Sequence, residues 1–434
     1  VKQRALLVFS LFLFITINAH SRISISEGVF LDANFRPRFE FDNRDFSKDT
    51  GYDAYGSFRA RIGLMFENLI DDTDIYLMIG DSRMMGFADP YLIGTPPDPN
   101  GFDNNLGVRK AYIETRNLII PGTTLKVGRM SNDQGRSYIF GPGNWNKFGP
   151  RTYDGIKIGY KNNETLYHLW SFFGANGDRH WYPAANDYKR DHTLTGMDVS
   201  FWTKTISFLI FHDLDQQPVL DTVNNTNDVA LSRTTAAVNV KWQQNKKSGH
   251  RIDFDVAYQM GTKAYQAGNG DISAYMLAGD WSFHFSDRRK SWAGLGFHNV
   301  SDDASDPGKV GYFYDNYSSK HKTFGHMDYF KSPTSGMKPM GLQDIIIRGG
   351  LSPLKALSCK ADLHLFSVKE KFASAIDGSS ANTLGQELDL YFKYSIRKGL
   401  SSVLGIDLFF PTKDWKGSTS DQSTFIYVIL TASL

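Results

Sequence analysis

From residue 31 the chain alternates with period two: Leu31, Ala33, Phe35, Phe39 and Phe41 interleave with Asp32, Asn34, Arg36, Arg38 and Glu40. Successive side chains of a strand point to opposite faces, so this segment predicts a strand with one apolar and one charged face. The pattern recurs with Phe58, Ala60, Ile62, Leu64 and Phe66 opposite Ser57, Arg59, Arg61 and Gly63, and with Ile75, Leu77 and Ile79 opposite Tyr76 and Met78. Further on, Ile156 and Ile158 alternate with Lys157, Ile252 and Phe254 with Arg251 and Asp253, and Leu384, Leu388 and Leu390 with Glu387 and Asp389. Polar clusters such as Lys161-Asn162-Asn163 and Arg397-Lys398-Gly399 separate the runs as hairpin turns do. The mature chain has no run of 18 apolar residues and no sustained 3.6-residue period.

The spacing predicts about eighteen strands of roughly ten residues each, an all-β, membrane-spanning antiparallel barrel forming a single domain over residues 22–434. A soluble sandwich would alternate too, but here the polar face is strongly ionised and the apolar face rich in Phe, Tyr, Leu and Ile, as for lipid outside and water inside. The last residues, Ile426, Val428, Leu430, Ala432 and Leu434, form an alternating strand placed to pair with the first and close the sheet. Long connections are expected at 84–105, 133–150, 175–192, 213–228 and 302–341, facing outward from the cell or folding inward as a constriction.

Composition narrows the functional classes. Lys2 and Arg4 precede a short apolar stretch, residues 5–17, and a small-residue end, which reads as a secretory signal peptide over residues 1–21. Without those two, the 48 basic residues become 46 and equal the 46 acidic ones, so no net basic field points to nucleic acid. Cys359 is the single cysteine, which excludes a disulfide framework or a cysteine-rich metal site. No nucleophile elbow, His-Glu-x-x-His helix or phosphate loop is present, so the reading is not an enzyme, without cofactor or metal. Asp302, Asp303, Asp306 and Gly308 lack the terminal Glu of a calcium loop and read as a solvated turn.

The charges on the polar parity supply the candidate chemistry. Arg36, Arg38, Arg59, Arg61, Arg83, Lys110, Lys157, Arg348, Lys360 and Lys393 occupy it, beside Glu40, Asp81, Glu114, Asp253, Asp255, Asp344, Asp362, Glu387, Asp389 and Asp407. A guanidinium grips a carboxylate with two parallel hydrogen bonds, and rings of Arg or Lys make pores anion-selective, so the first three strands suit a uronate chain or a smaller anion. The competing reading is that these charges pair among themselves and merely stiffen the lumen. Parity turns Arg129 toward lipid unless Gly128 bulges or the residue stands at the rim. Tyr55, Tyr112, Trp170, Phe201, Trp242 and Trp281 are expected in interfacial girdles, and Trp145 is the candidate sugar contact or else a loop anchor. His321 is expected as a surface or plug residue.

One segment, Leu125 to Tyr160, carries Gly128-Arg129, Gly135-Arg136, Trp145 and Arg151-Thr152-Tyr153-Asp154-Gly155 in an order that resembles the alginate-export family of bacterial outer-membrane barrels. Arg36-Pro37-Arg38 with Glu40, Arg59 with Arg61, Asp81-Ser82-Arg83, the loop residues His321, Gly325 and Asp328, and the strand Leu384 to Asp389 extend the resemblance over nearly the whole mature chain. It implies passive export of an anionic polysaccharide through an Arg-lined pore in the outer membrane. Site residues are then Arg36, Arg38, Glu40, Arg59, Arg61, Asp81, Arg83, Lys110, Arg129, Trp145, Arg151, Asp154, Arg348, Glu387 and Asp389. The alternative cargo is small anionic solutes passing a diffusion porin. Expected partners are that cargo, outer-membrane lipid and the barrel-assembly machinery, with a monomeric barrel and no nucleic acid.

Overall fold

The structure is a computed structural model describing residues 23–47, 51–85, 106–135, 137–141, 143, 145, 151–173, 192–202, 205–221, 226–245, 248–265, 268–302, 308–315, 317–319, 321, 323–331, 336–418 and 420–434. A short strand β1 (Ile23–Ser26) turns into β2 (Val29–Asn43), followed by β3 (Asp53–Ile70), β4 (Thr73–Met84), β5 (Gly107–Arg116), β6 (Thr123–Met130), β7 (Tyr153–Asn162) and β8 (Thr165–Phe173). Next come β9 (His192–Phe201), β10 (Ile206–Asp221), β11 (Thr226–Gln243), β12 (Gly249–Tyr265), β13 (Gly268–His284) and β14 (Trp292–Val300). After the two-residue β15 (Lys309–Val310) the chain completes β16 (Leu342–Leu354), β17 (Leu357–Ala373), β18 (Ser380–Arg397), β19 (Leu400–Pro411), a one-turn helix α1 (Lys413–Lys416) and β20 (Ser423–Ser433).

Every barrel strand pairs antiparallel with its neighbours, β14 with β16, and β20 with β2, so eighteen strands close without an edge. Closure satisfies the backbone within the membrane, where no water can. The predicted faces hold: Ile62, Ile79, Ile156 and Ile345 are exposed to lipid, while Arg59, Arg61, Tyr76 and Gln259 are buried in the lumen. Short turns lie at one end, with the C-terminal strand, and the long connections at the other.

Three local expectations fail for stated reasons. Residues 213–228 are not a long loop, because β10 and β11 run on as a hairpin in which Asp221 pairs with Thr226. Leu384 is fully buried inside rather than on the lipid face, because the β17–β18 register shifts beside Gly385, whose φ of +153° accompanies the irregularity. Trp170, Tyr112 and Tyr55 are lumenal, not girdle, residues: Trp170 is buried, and its indole nitrogen donates to Asp198. Tyr112 lies 5.4 Å from Tyr76, and Tyr55 pairs with the lumenal Glu40. Trp242 and Trp281 are outward, as expected.

The described residues of the long connections 131–152 and 301–341 fold into the lumen. Phe140 packs 5.3 Å from Trp170, Phe211 and Tyr317, and Phe330 packs 4.8 Å from Phe366. The hydrophobic core of this protein therefore lies inside the barrel, between loop and wall. Most of the loop predicted at 84–105, all but the last residue of that predicted at 175–192, and the signal peptide predicted over 1–21 lie outside the described residues.

Because Ile62 stands on the lipid face midway along β3, Ile62→Arg is expected to destabilise the folded barrel by about 2–4 kcal/mol. Urea unfolding in lipid vesicles measures this directly, and an unchanged midpoint contradicts the assigned faces.

Candidate functional site

Lumenal charge is sorted by sector. On β2 and β3 the register sets Arg36 directly opposite Arg59, while Arg61 faces Asn34 on one side and Gly80 on the other. Like charges facing each other across a ladder repel, so this pairing is unfavourable for folding alone. At β4–β5 the register slips, so that Met78 pairs with Lys110 and Ile79 with Val108, leaving Arg109 as the extra residue. The bulge turns both Arg109 and Lys110 inward. Gly80 makes room for Arg109 and Arg61: a Cβ there would lie 2.9 Å from Cγ of Arg109 and 3.0 Å from Cγ of Arg61. Arg109 escaped the sequence reading because strict parity cannot anticipate a bulge; its signal is the consecutive pair Arg109-Lys110.

A second sector, on β16 to β19, is acidic. Asp389 stands in register with Asp407 on one side and Asp362 on the other, and Glu387 lies two residues along the same face. All four are buried. Their cationic neighbours are imidazoles and vestibule cations: His364 Nε2 lies 3.4 Å from Asp389 while its Nδ1 lies 2.8 Å from Asp344, Lys360 forms an ion pair with Asp362, and Arg348, 2.6 Å from Asp280, stands 3.9 Å from Asp362. Between the two sectors β20 contributes Phe425 and Tyr427. At their border Arg38 forms a salt bridge with Glu40.

The inward loops dock on both sectors. Trp145 is clamped, with the Arg38 guanidinium 3.8 Å from its ring centroid and the His321 ring stacked at 3.5 Å and 3°. Its carbonyl accepts from Arg38 at 3.1 Å and Arg36 at 3.4 Å. Trp145 is thus a loop anchor, and its covered faces correct the expectation of a sugar contact. His321, fully packed, also bonds Asp328 at 3.2 Å; burial pulls its imidazole down to about 4, against the opposing Asp328. On the acidic sector the amides of His326 and Met327 donate to Asp389 at 3.1 Å and Glu387 at 2.7 Å. Gly325 permits this approach, since its φ is +81° and a Cβ would lie 2.4 Å from the Glu387 carboxylate. Burial pulls the His326 imidazole down, but Asp389 and Asp407 outweigh it and hold it up at about 9. Loop residues His326 and His321 could not be tied to particular wall residues from sequence, because no periodicity links a loop to a strand sixty residues away.

Beneath the docked loops a cavity of about 950 Å3 opens toward the short-turn end, with Lys241, Arg251, Asp253, Arg348 and Asp362 on its walls and Tyr138, His321 and His326 above. Arg348 therefore stands on the lumen wall as part of a mixed-charge vestibule.

Five predicted residues stand elsewhere. Asp81 and Arg83 share the lipid-facing register of Phe58 and Ala60 and pair with each other at 2.7 Å. Arg129 and Asp154, opposite one another on β6 and β7, keep the outward parity of Val127 and Ile156 and form a two-pronged bridge with both bonds at 2.7 Å. Neither pair lines the pore. Both lie where strands run into long connections, and a rim position beyond the hydrocarbon tolerates charge. Arg151 is on the inward loop, where its guanidinium donates to the Ser318 carbonyl at 3.4 Å. Arg136 lies outside the described residues.

Comparisons with known proteins agree with this architecture. The protein-family model described as alginate export matches residues 29–427. No curated protein matches the chain. Among solved structures, OccAB1 of Acinetobacter baumannii superposes with a TM-score of 0.61 at 13% identity, over 96% of this chain and 98% of that one. A BenF-like porin from Pseudomonas fluorescens gives 0.59 at 12% identity, over 95% and 100%. OpdK of Pseudomonas aeruginosa, solved with vanillate, gives 0.57 at 13% identity, over 93% and 98%. These likenesses are in fold. Eighteen strands closed around charged walls, a porin-like architecture and a family match over nearly the entire chain place the protein in the bacterial outer membrane as a channel, and it belongs to the alginate export family.

Proposed function

We propose that the channel is a passive conduit for an anionic polysaccharide, with no enzymatic step, and that the cations of β2, β3 and β5 carry the polymer's carboxylates. The observation behind this reading is the run of Arg36, Arg59, Arg61, Arg109 and Lys110 on one wall, where the ladder sets Ser82, Gly80 and Asn34 rather than carboxylates opposite Arg59 and Arg61. Such clustering works against folding, so an anion passing through relieves repulsion already stored in the wall. Guanidinium groups bind carboxylate through paired hydrogen bonds, and several equivalent sites in a row let a polymer step from one to the next. The family to which the chain belongs supports a polymeric cargo.

A second reading, diffusion of small carboxylates, is favoured by a different observation. The loops holding Phe140, Trp145 and His326 fill much of the lumen above the vestibule. A folded polymer chain would need them displaced, whereas a small anion would pass beside them.

In planar bilayers the unmodified protein is expected to prefer chloride over potassium. Changing Arg36, Arg59, Arg61 and Arg109 to Ala together should abolish that preference, and cation preference in the unmodified protein contradicts the proposal. Polymer recovered outside cells with and without the protein then separates the cargoes, since an unchanged yield removes the export reading while leaving anion conduction standing. Loop docking is tested by Trp145→Ala, which removes the Arg38 and His321 contacts, worth about 1–2 kcal/mol. Loop openings, read as high-conductance events, should become roughly tenfold more frequent; an unchanged trace means Trp145 does not hold the loop.

A further inference from the structure

The border between the docked loop and the acidic wall has more to it than loop anchoring. Nδ1 of His326 lies 3.7 Å from Oδ2 of Asp389 and 3.6 Å from Oδ1 of Asp407. These separations are long for hydrogen bonds. They are close to the edge of a tetrahedron around a zinc ion, whose nitrogen and oxygen ligands at about 2.0–2.1 Å stand roughly 3.3–3.4 Å apart. All three ligand atoms fall within 4.8 Å of one another.

Unsatisfied polar atoms converge on the same point. Asp407 is fully buried and neither of its carboxylate oxygens has a hydrogen-bond partner, nor have Oδ1 of Asp389 and Nδ1 of His326. Buried carboxylates in native proteins are paired, hydrogen-bonded or bound to metal. Asp389 and Asp407 face each other directly in the ladder, where like charges repel. Among the described residues no Lys or Arg forms an ion pair with Glu387, Asp389 or Asp407. Their cationic partners are His326 and His364, and His364 also serves Asp344. The charge shortfall suits a dication.

We propose that His326 Nδ1 and the carboxylates of Asp389 and Asp407 bind one divalent transition cation of the zinc class. An imidazole nitrogen among carboxylates favours such a metal over calcium or magnesium, which take all-oxygen sets. Two ligands come from β18 and β19 and one from the inward loop, so the ion fastens the loop to the wall. The site stands whichever cargo the channel carries.

The full chain, refolded in detergent micelles and freed of metal with a chelator, is titrated with zinc by calorimetry. One equivalent should bind, and His326→Gln and Asp407→Asn should each weaken it by at least about tenfold. His250→Gln, at the exposed short-turn end, should leave it unchanged. Cobalt in place of zinc should give the intense visible bands of tetrahedral coordination, lost in His326→Gln. Because His326 is on a loop, that variant keeps the test decisive even if Asp407→Asn misfolds. Absence of zinc binding, or binding indifferent to His326→Gln, overturns the site and leaves the carboxylates sharing protons instead.

Discussion

Closure of the β-ladder in lipid is the constraint on which everything else depends. Once β20 is hydrogen-bonded to β2, no side chain on a regular strand has a third direction to take: it meets hydrocarbon or it enters the lumen. Charge is costly on the first face, so the lumen receives it, and the apolar core that a soluble protein builds between layers is built here between the wall and the loops that enter it. Gly405 shows how tightly this is drawn. A Cβ at that position would lie 2.0 Å from Cζ of Tyr427, so the tyrosine ring lies flat against a bare backbone and leaves its other side for Trp145, 4.7 Å away.

From that contact an aromatic and cationic stack runs through Trp145 to Arg38 on one side and His321 and His326 on the other. The stack joins the two charged sectors. Its position explains why neither sector is fully neutralised by the other: β20, with its aromatic side chains, lies between them, and among the described residues the loops bring amides and imidazoles to Glu387, Asp389 and Asp407. The basic wall keeps its cations side by side, and the acidic wall faces the loop. A field thus runs around the lumen rather than cancelling within each strand pair.

Much of this was legible in the sequence because strand parity is a two-valued code. The faces of Arg36, Arg38, Arg59, Arg61, Glu387 and Asp389, the strand number and the closing pair all follow from alternation. The code fails where the backbone departs from it or where it stops. The bulge at Arg109 and the slip beside Gly385 each reverse parity for a residue or two, and the signal for a bulge is faint in one sequence. Asp81 and Arg83 mislead because their charge suggests the lumen while they continue the outward parity of Ile75, Leu77 and Ile79; Arg129 and Asp154 mislead because alternation gives a face but not a height, and at the rim an outward charge is tolerated. Trp145 and His326 depend on tertiary contacts between loops and distant strands, for which the sequence has no periodic mark.

The sorting of charge by sector is the central claim, and anomalous scattering from crystals soaked in bromide locates anions most directly. Bromide is predicted beside the guanidinium groups of Arg59, Arg61 and Arg109, with none along Glu387, Asp389 and Asp407. Bromide confined to the outer rim at Arg83 and Arg129, with an anion-free lumen, would contradict the account.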